Sequence, residues 1–217
     1  MTSPLANPNF RWLFSAQVFS LVGTGLLTVA LSLAAFSIGG VKAAGQVLGV
    51  IFALKMVAYV GIAPLIEAVL SGVNRKIALV SLDFGRLLLL VLMAFMENTY
   101  QIVLLSFVFF VLSAGFTPLY QSVIPDVVPE KDAYARALSW SRIAYTLESI
   151  LSPTIAVALL TFITGSFLFL VAALALIGSI FALAVASFPP RVSDVSKKPF
   201  AKRIFKGMSI YIKTPRL

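Results

Sequence analysis

Ser113 to Val157 reads SAGFTPLYQSVIPDVVPEKDAYARALSWSRIAYTLESILSPTIAV. An apolar segment enters this stretch, a short polar connection follows, and a second apolar segment leaves it carrying Arg142, Glu148 and Pro153. Soluble proteins seldom embed ionisable groups in so much continuous hydrophobic sequence. In a bilayer such a residue marks a pathway or a paired charge.

The rest of the chain repeats the pattern. Hydrophobic residues make up 60% of the 217 residues and charged ones 12%, against roughly 25% charged in an ordinary soluble domain. The mean hydropathy is +1.01. Apolar runs of about 20 residues recur, enough to cross a hydrocarbon layer ~30 Å thick as helices. The strict alternation of a membrane β-barrel is missing. The expected class is therefore an all-α membrane protein.

With no cysteine and no histidine, thiolate metal sites, zinc catalysis and His-based triads are excluded. No metal and no cofactor is expected, and an embedded enzyme is disfavoured because no nucleophile–base pair is recognisable. The formal charge is +9. From Pro189 onward eight Lys/Arg stand against Asp194 alone, a distribution that fits retention of basic flanks in the cytoplasm better than nucleic-acid binding.

Six spans are predicted, over residues 12–38, 46–70, 77–96, 100–124, 137–163 and 167–188. Gly39, Gly40 and Lys42 form the first turn, Ser71 to Lys76 a basic turn, and Pro125 to Arg136 a polar connection. The first span is too long for a signal peptide and is read as uncleaved. Arg11, the Arg75–Lys76 pair, Lys131, Arg136 and the tail all fall on one side, which places both termini in the cytoplasm. Residues 1–188 are expected to form the bundle. Residues 189–217 form a basic tail in which Phe200, Ile204, Met208 and Tyr211 share the apolar face of an interfacial amphipathic helix.

Lys55, Asp83, Arg86 and Glu148 lie several residues inside their spans. A central charge costs ~2.5–3.5 kcal/mol on insertion scales, so four unpaired charges would cost about 10 kcal/mol, comparable with a domain's whole stability. Protein or water must shelter them. Asp83 and Arg86, three apart, pair on one helical face, and that pair reads as structural. Lys55 and Glu148 remain as the second pair, and Glu148, a carboxyl group withdrawn from water, is the candidate for carrying a proton. Ser141, Tyr145, Glu148 and Ser152 fall on one face of the fifth span. Gln17 is a candidate for facing a cavity, whereas Gly23 and Gly25 read as sites of close helix packing. Pro153 is expected to kink the fifth span.

Taken together, Asn9-Phe10-Arg11, Asn74-Arg75-Lys76, Asp83…Arg86, Phe116-Thr117-Pro118…Gln121…Ile124-Pro125-Asp126 and Ser152-Pro153 resemble the amino-terminal half of a major facilitator superfamily transporter. The branch it is most similar to contains bacterial enterobactin and macrolide exporters. The resemblance implies six helices in a 3+3 inverted repeat, with first and fourth spans lining a central cavity and second and fifth meeting another half. It also implies proton-coupled export of a small, amphiphilic compound across a bacterial inner membrane. Glu148 would be the coupling acid and Lys55 its partner, with Gln17, Thr117, Tyr120, Gln121 and Tyr145 as cavity groups and Arg75 and Lys76 as the loop motif. The chain departs from the family where Ser71-Gly72 replaces the usual Asp-Arg and Ser152-Pro153 the usual Gly-Pro. Such transporters have twelve spans, so a second six-helix half is expected, whether cut off, separately encoded or a second copy; truncation ranks first. The rival reading is a non-transporting membrane scaffold whose tail docks anionic lipid or a partner.

Overall fold

The computed structural model describes residues 3–70 and 72–188. The amphipathic helix expected in 200–213, with the rest of the tail, lies outside the described residues. Helices account for the architecture, and no strand occurs among the described residues.

Helix α1 runs Pro8–Met56, interrupted only at Gly40. Asn7 caps its start, its side chain accepting from the Asn9 and Phe10 N–H groups, and Pro8 occupies a position where a missing N–H costs nothing. Gly40 has φ +69° and ψ 174°, a left-handed φ that favours glycine. A turn was expected over Gly39 to Lys42. Instead the reversal is confined to one residue, and α1 divides into a first span, Pro8–Val41, and a second, Ala43–Ile66.

The second span is irregular at its far end. Val57–Ile62 forms a π-helical turn before α2, Ala63–Leu70. Pro64 explains it: the pyrrolidine ring collides with the carbonyl four residues earlier, that of Val60, and supplies no N–H. The chain opens to the wider spacing, and Ala63 N–H bonds Ala58 O.

Helices α3 (Arg75–Met93), α4 (Thr99–Val127), α5 (Lys131–Leu160) and α6 (Gly165–Val185) complete the bundle. Asn98 and Gln101 make a reciprocal capping box at the start of α4. The polar connection expected over 125–136 shrinks to three residues, because α4 continues through Pro125 and α5 begins at Lys131. Helices keep their hydrogen bonds in water as well as in lipid, so a span's apolar limits understate the helix. Pro153 lies within α5 and does not interrupt it.

Among the described residues five helices are long and apolar enough to cross a membrane, by length and composition: the two parts of α1–α2, α4, α5 and α6. The remaining helix, α3, carries Arg75, Lys76, Asp83 and Arg86 within 19 residues. The first span packs against α4, α5 and α6, and α3 packs against α4 and α6. Burial is uneven: 39% of the first span's most apolar stretch is buried and 44% of those in α4 and α6, but only 11% in the second span and 17% in α5. The second and fifth spans therefore present a largely uncovered apolar face, with Val60, Ile150 and Val157 among its exposed side chains.

Candidate functional site: two charge centres in the bundle

The Asp83–Arg86 pair is sealed. Asp83 is 0% exposed and Arg86 2%, and the two form a direct ion pair within α3. Their other partners come from neighbouring helices. Ser179 of α6 has its hydroxyl 2.6 Å from Asp83 Oδ2 and 2.9 Å from Ala16 O of the first span, and its single proton serves one acceptor at a time. Arg86 Nη2 donates to Ser20 Oγ at 2.9 Å. The guanidinium lies 4.3 Å from the Phe116 ring centroid and 5.9 Å from that of Phe109, so α4 shields it with aromatic faces. One ion pair thus joins α3 to the first span, α4 and α6.

The second centre is more open. Lys55 and Glu148 are each half-buried. Lys55 Nζ sits 5.3 Å from the Phe110 ring centroid. The Glu148 carboxylate lies against the first span at Gly25: a Cβ built there would overlap Glu148 Oε1 together with Ser152 Oγ and Cβ. Lys55 is within electrostatic reach of Glu148, yet the two make no direct ion pair. The opposite charges come from two different helices.

Polar groups continue this centre inward. Tyr145 donates to Thr117 Oγ1 at 3.4 Å, and both residues are half-buried. Gln17 and Tyr120, each 1% exposed, are enclosed by helices. Gln17 Nε2 donates to Ser141 O at 3.5 Å; Tyr120 OH faces Ser141 Oγ without hydrogen-bond geometry. Gln121 is exposed and stands apart from this group. Both packing glycines have close neighbours: a Cβ on Gly23 would meet Ala172 O at 3.0 Å.

The loop cations work at one end of the bundle. Arg75 Nη1 pairs with Asp126 and donates to Ser122 O at 2.7 Å, tying α3 to the end of α4. Lys76 Nζ donates to the carbonyls of Ala184 and Ala186 at 2.6 and 2.8 Å, where the last carbonyls of α6 need donors. At the same end Asn7 Nδ2 donates to Val127 O at 3.0 Å and Asn9 Oδ1 accepts from Ser187 N. A cavity of about 160 Å³ lies beside Arg75, between Leu70, Val73 and the Pro118–Ser122 stretch of α4.

Sequence reading missed Tyr59. The π-helical turn sets it within electrostatic reach of Arg86, Tyr145 and Glu148 and next to Ser113, so it stands between the two centres. Pro64, five residues on, was the available signal. Ser20 and Ser179 were missed as partners of the sealed pair, since nothing in sequence spacing connects residues 66 and 96 apart.

Long apolar helices enclosing sheltered charges define a multi-pass helical membrane protein. The sequence profile of the Major Facilitator Superfamily matches residues 13–217, and the chain belongs to that superfamily, whose members are transporters. Comparison with curated proteins finds no match.

Proposed function

We propose that this chain is the amino-terminal, six-helix half of a proton-coupled exporter of small amphiphilic compounds, of the enterobactin- and macrolide-exporter type, with both termini in the cytoplasm of a bacterium. Glu148 is the coupling acid and Lys55 its counter-charge. The carrying observation is the contrast between the two charge centres. Asp83 and Arg86 neutralise each other in a buried core, whereas Lys55 and Glu148 hold opposite charges on separate helices, half-buried and without a direct ion pair. Such an arrangement leaves a carboxylate able to exchange its local partner for a proton or a substrate cation.

The uncovered second and fifth spans support the proposal that a second six-helix half packs there, so that one half rocks against the other around a midplane site. Alone, this half does not transport. Thr117 and Tyr145, joined by a hydrogen bond, are the cavity groups of this reading, with Gln17 and Tyr120 behind them. Reading the gene downstream tests the architecture: six further hydrophobic spans, or a neighbouring gene encoding them, are expected. A stop codon with no such neighbour refutes it and leaves the scaffold reading. Coupling is tested by proton flux in proteoliposomes of the complete transporter, with ethidium as the probe cation. Glu148→Gln is expected to abolish ethidium-driven flux; unchanged flux removes Glu148 from the role.

A further inference from the structure

We propose that Gly25 is a positioning residue for Glu148: the side chain it lacks leaves a notch in the first span that holds the Glu148 carboxylate beside Ser152. The inference rests on the reading of Glu148 as the coupling acid only for its consequence, not for its geometry.

A Cβ at Gly25 would overlap three atoms, Glu148 Oε1, Ser152 Oγ and Ser152 Cβ, all from α5. Glu148 and Ser152 are four apart and so share one helical face. Gly25 does not serve a turn, because the first span is regular there. Its value is lateral space. Gly45, Gly49 and Gly61 have nothing within 4 Å of a built Cβ; Gly25 is occupied on that side by the functional face of α5.

The contact has chemical content beyond packing. Ser152 is 1% exposed, and its hydroxyl, enclosed beside the carboxylate, makes no hydrogen bond of good geometry among the described residues. A small rotation of Glu148 brings it to that hydroxyl, which donates to the ionised carboxylate. The remaining groups facing Glu148 are Lys55 from the second span and Tyr59 from the π-helical turn, with Tyr145 one turn earlier on α5. Gly25 thus fixes how deep the carboxylate sits between a hydroxyl on one side and a cation on the other. A methyl group at residue 25 displaces the carboxylate toward the open face, away from Ser152.

Labelling by dicyclohexylcarbodiimide, which reacts with protonated carboxyl groups from the membrane phase, reads this position without a transport substrate. The modified fraction of Glu148 is followed by mass spectrometry across pH in liposomes containing the protein. Gly25→Ala is expected to change the labelling rate by about tenfold, equivalent to about 1.4 kcal/mol, and to shift its pH profile. Gly25→Ala/Ser152→Gly, which moves the free space to the other helix, is expected to return the labelling rate toward wild type while its pH profile, without the hydroxyl, stays shifted as in Ser152→Ala. Ser152→Ala, which keeps the notch and removes the hydroxyl, is expected to shift the pH profile and covers the case in which Gly25→Ala fails to accumulate. Wild-type labelling in Gly25→Ala, or a wild-type pH profile in Ser152→Ala, overturns the inference, as does a double variant whose labelling rate stays at that of Gly25→Ala. Altered labelling combined with unchanged ethidium-driven flux in Glu148→Gln upholds the notch and refutes only the coupling role.

Discussion

Removing Asp83 should destabilise the bundle far more than removing the whole ion pair. In Asp83→Ala, Arg86 remains buried, with Ser20 Oγ and the faces of Phe116 and Phe109 beside it and no anion among them. An aromatic face offsets about 2 kcal/mol when desolvated. Breaking a buried pair from one side nevertheless costs about 3–5 kcal/mol, because an uncompensated charge stays inside. Replacing both members by apolar groups of similar volume is often neutral or stabilising, so Asp83→Leu/Arg86→Met should unfold within about 1–2 kcal/mol of wild type. Ser179→Ala removes one interhelical hydroxyl and should cost about 0.6 kcal/mol, at most ~1.7. The assay is unfolding in mixed micelles by titration with sodium dodecyl sulfate, followed by far-UV circular dichroism. If the double variant is as unstable as Asp83→Ala, mutual neutralisation is not what the pair contributes, and the separation of a structural from a functional charge centre fails.

Four further outcomes follow from the contacts. Asn98→Ala should cost about 1 kcal/mol through loss of the capping box, seen as faster hydrogen exchange at the start of α4. A Cβ on Gly115 overlaps Ile66 Cγ2, so Gly115→Ala should cost about 1–3 kcal/mol by overpacking, recovered in Gly115→Ala/Ile66→Ala and measured by the same titration. Pro64→Ala should let the π-helical turn close to α geometry, turning Tyr59 by roughly 100° relative to α2; loss of disulfide crosslinking between Tyr59→Cys and Ser113→Cys would report it. Lys76→Ala should free the carbonyls of Ala184 and Ala186 and raise hydrogen exchange in the last turn of α6, leaving α4 unchanged.

Much of this architecture is legible in the chain because lipid imposes a simple rule: a spanning helix must be apolar for its length. All six runs therefore appear as helices close to where hydropathy puts them, although the third, α3, carries four charges and is not apolar enough to count as a span. Asp83 and Arg86 are legible as a pair because the helix itself sets them on one face. Helix ends are less legible, as at Lys131, because hydropathy marks the hydrocarbon layer and not the end of hydrogen bonding. Gly40 was readable as a joint, but its confinement to one residue depends on both flanks continuing as helix. The contact of Gly25 with Glu148 and Ser152, and the enclosure of Gln17 and Tyr120, arise only when α5 docks on the first span. Spacing along one helix carries no information about which neighbour fills its grooves.

The account depends on Lys55 and Glu148 facing a wet, protein-lined space. The chain contains no cysteine, so single cysteines can be read without background from it. Lys55→Cys, Glu148→Cys and, as an apolar reference, Val157→Cys, whose native side chain is 65% exposed, would be treated in membrane vesicles with a charged, membrane-impermeant methanethiosulfonate. Rapid modification at residues 55 and 148 with little at 157 is the predicted result. Equal inertness at all three would place both charges against lipid and contradict the account.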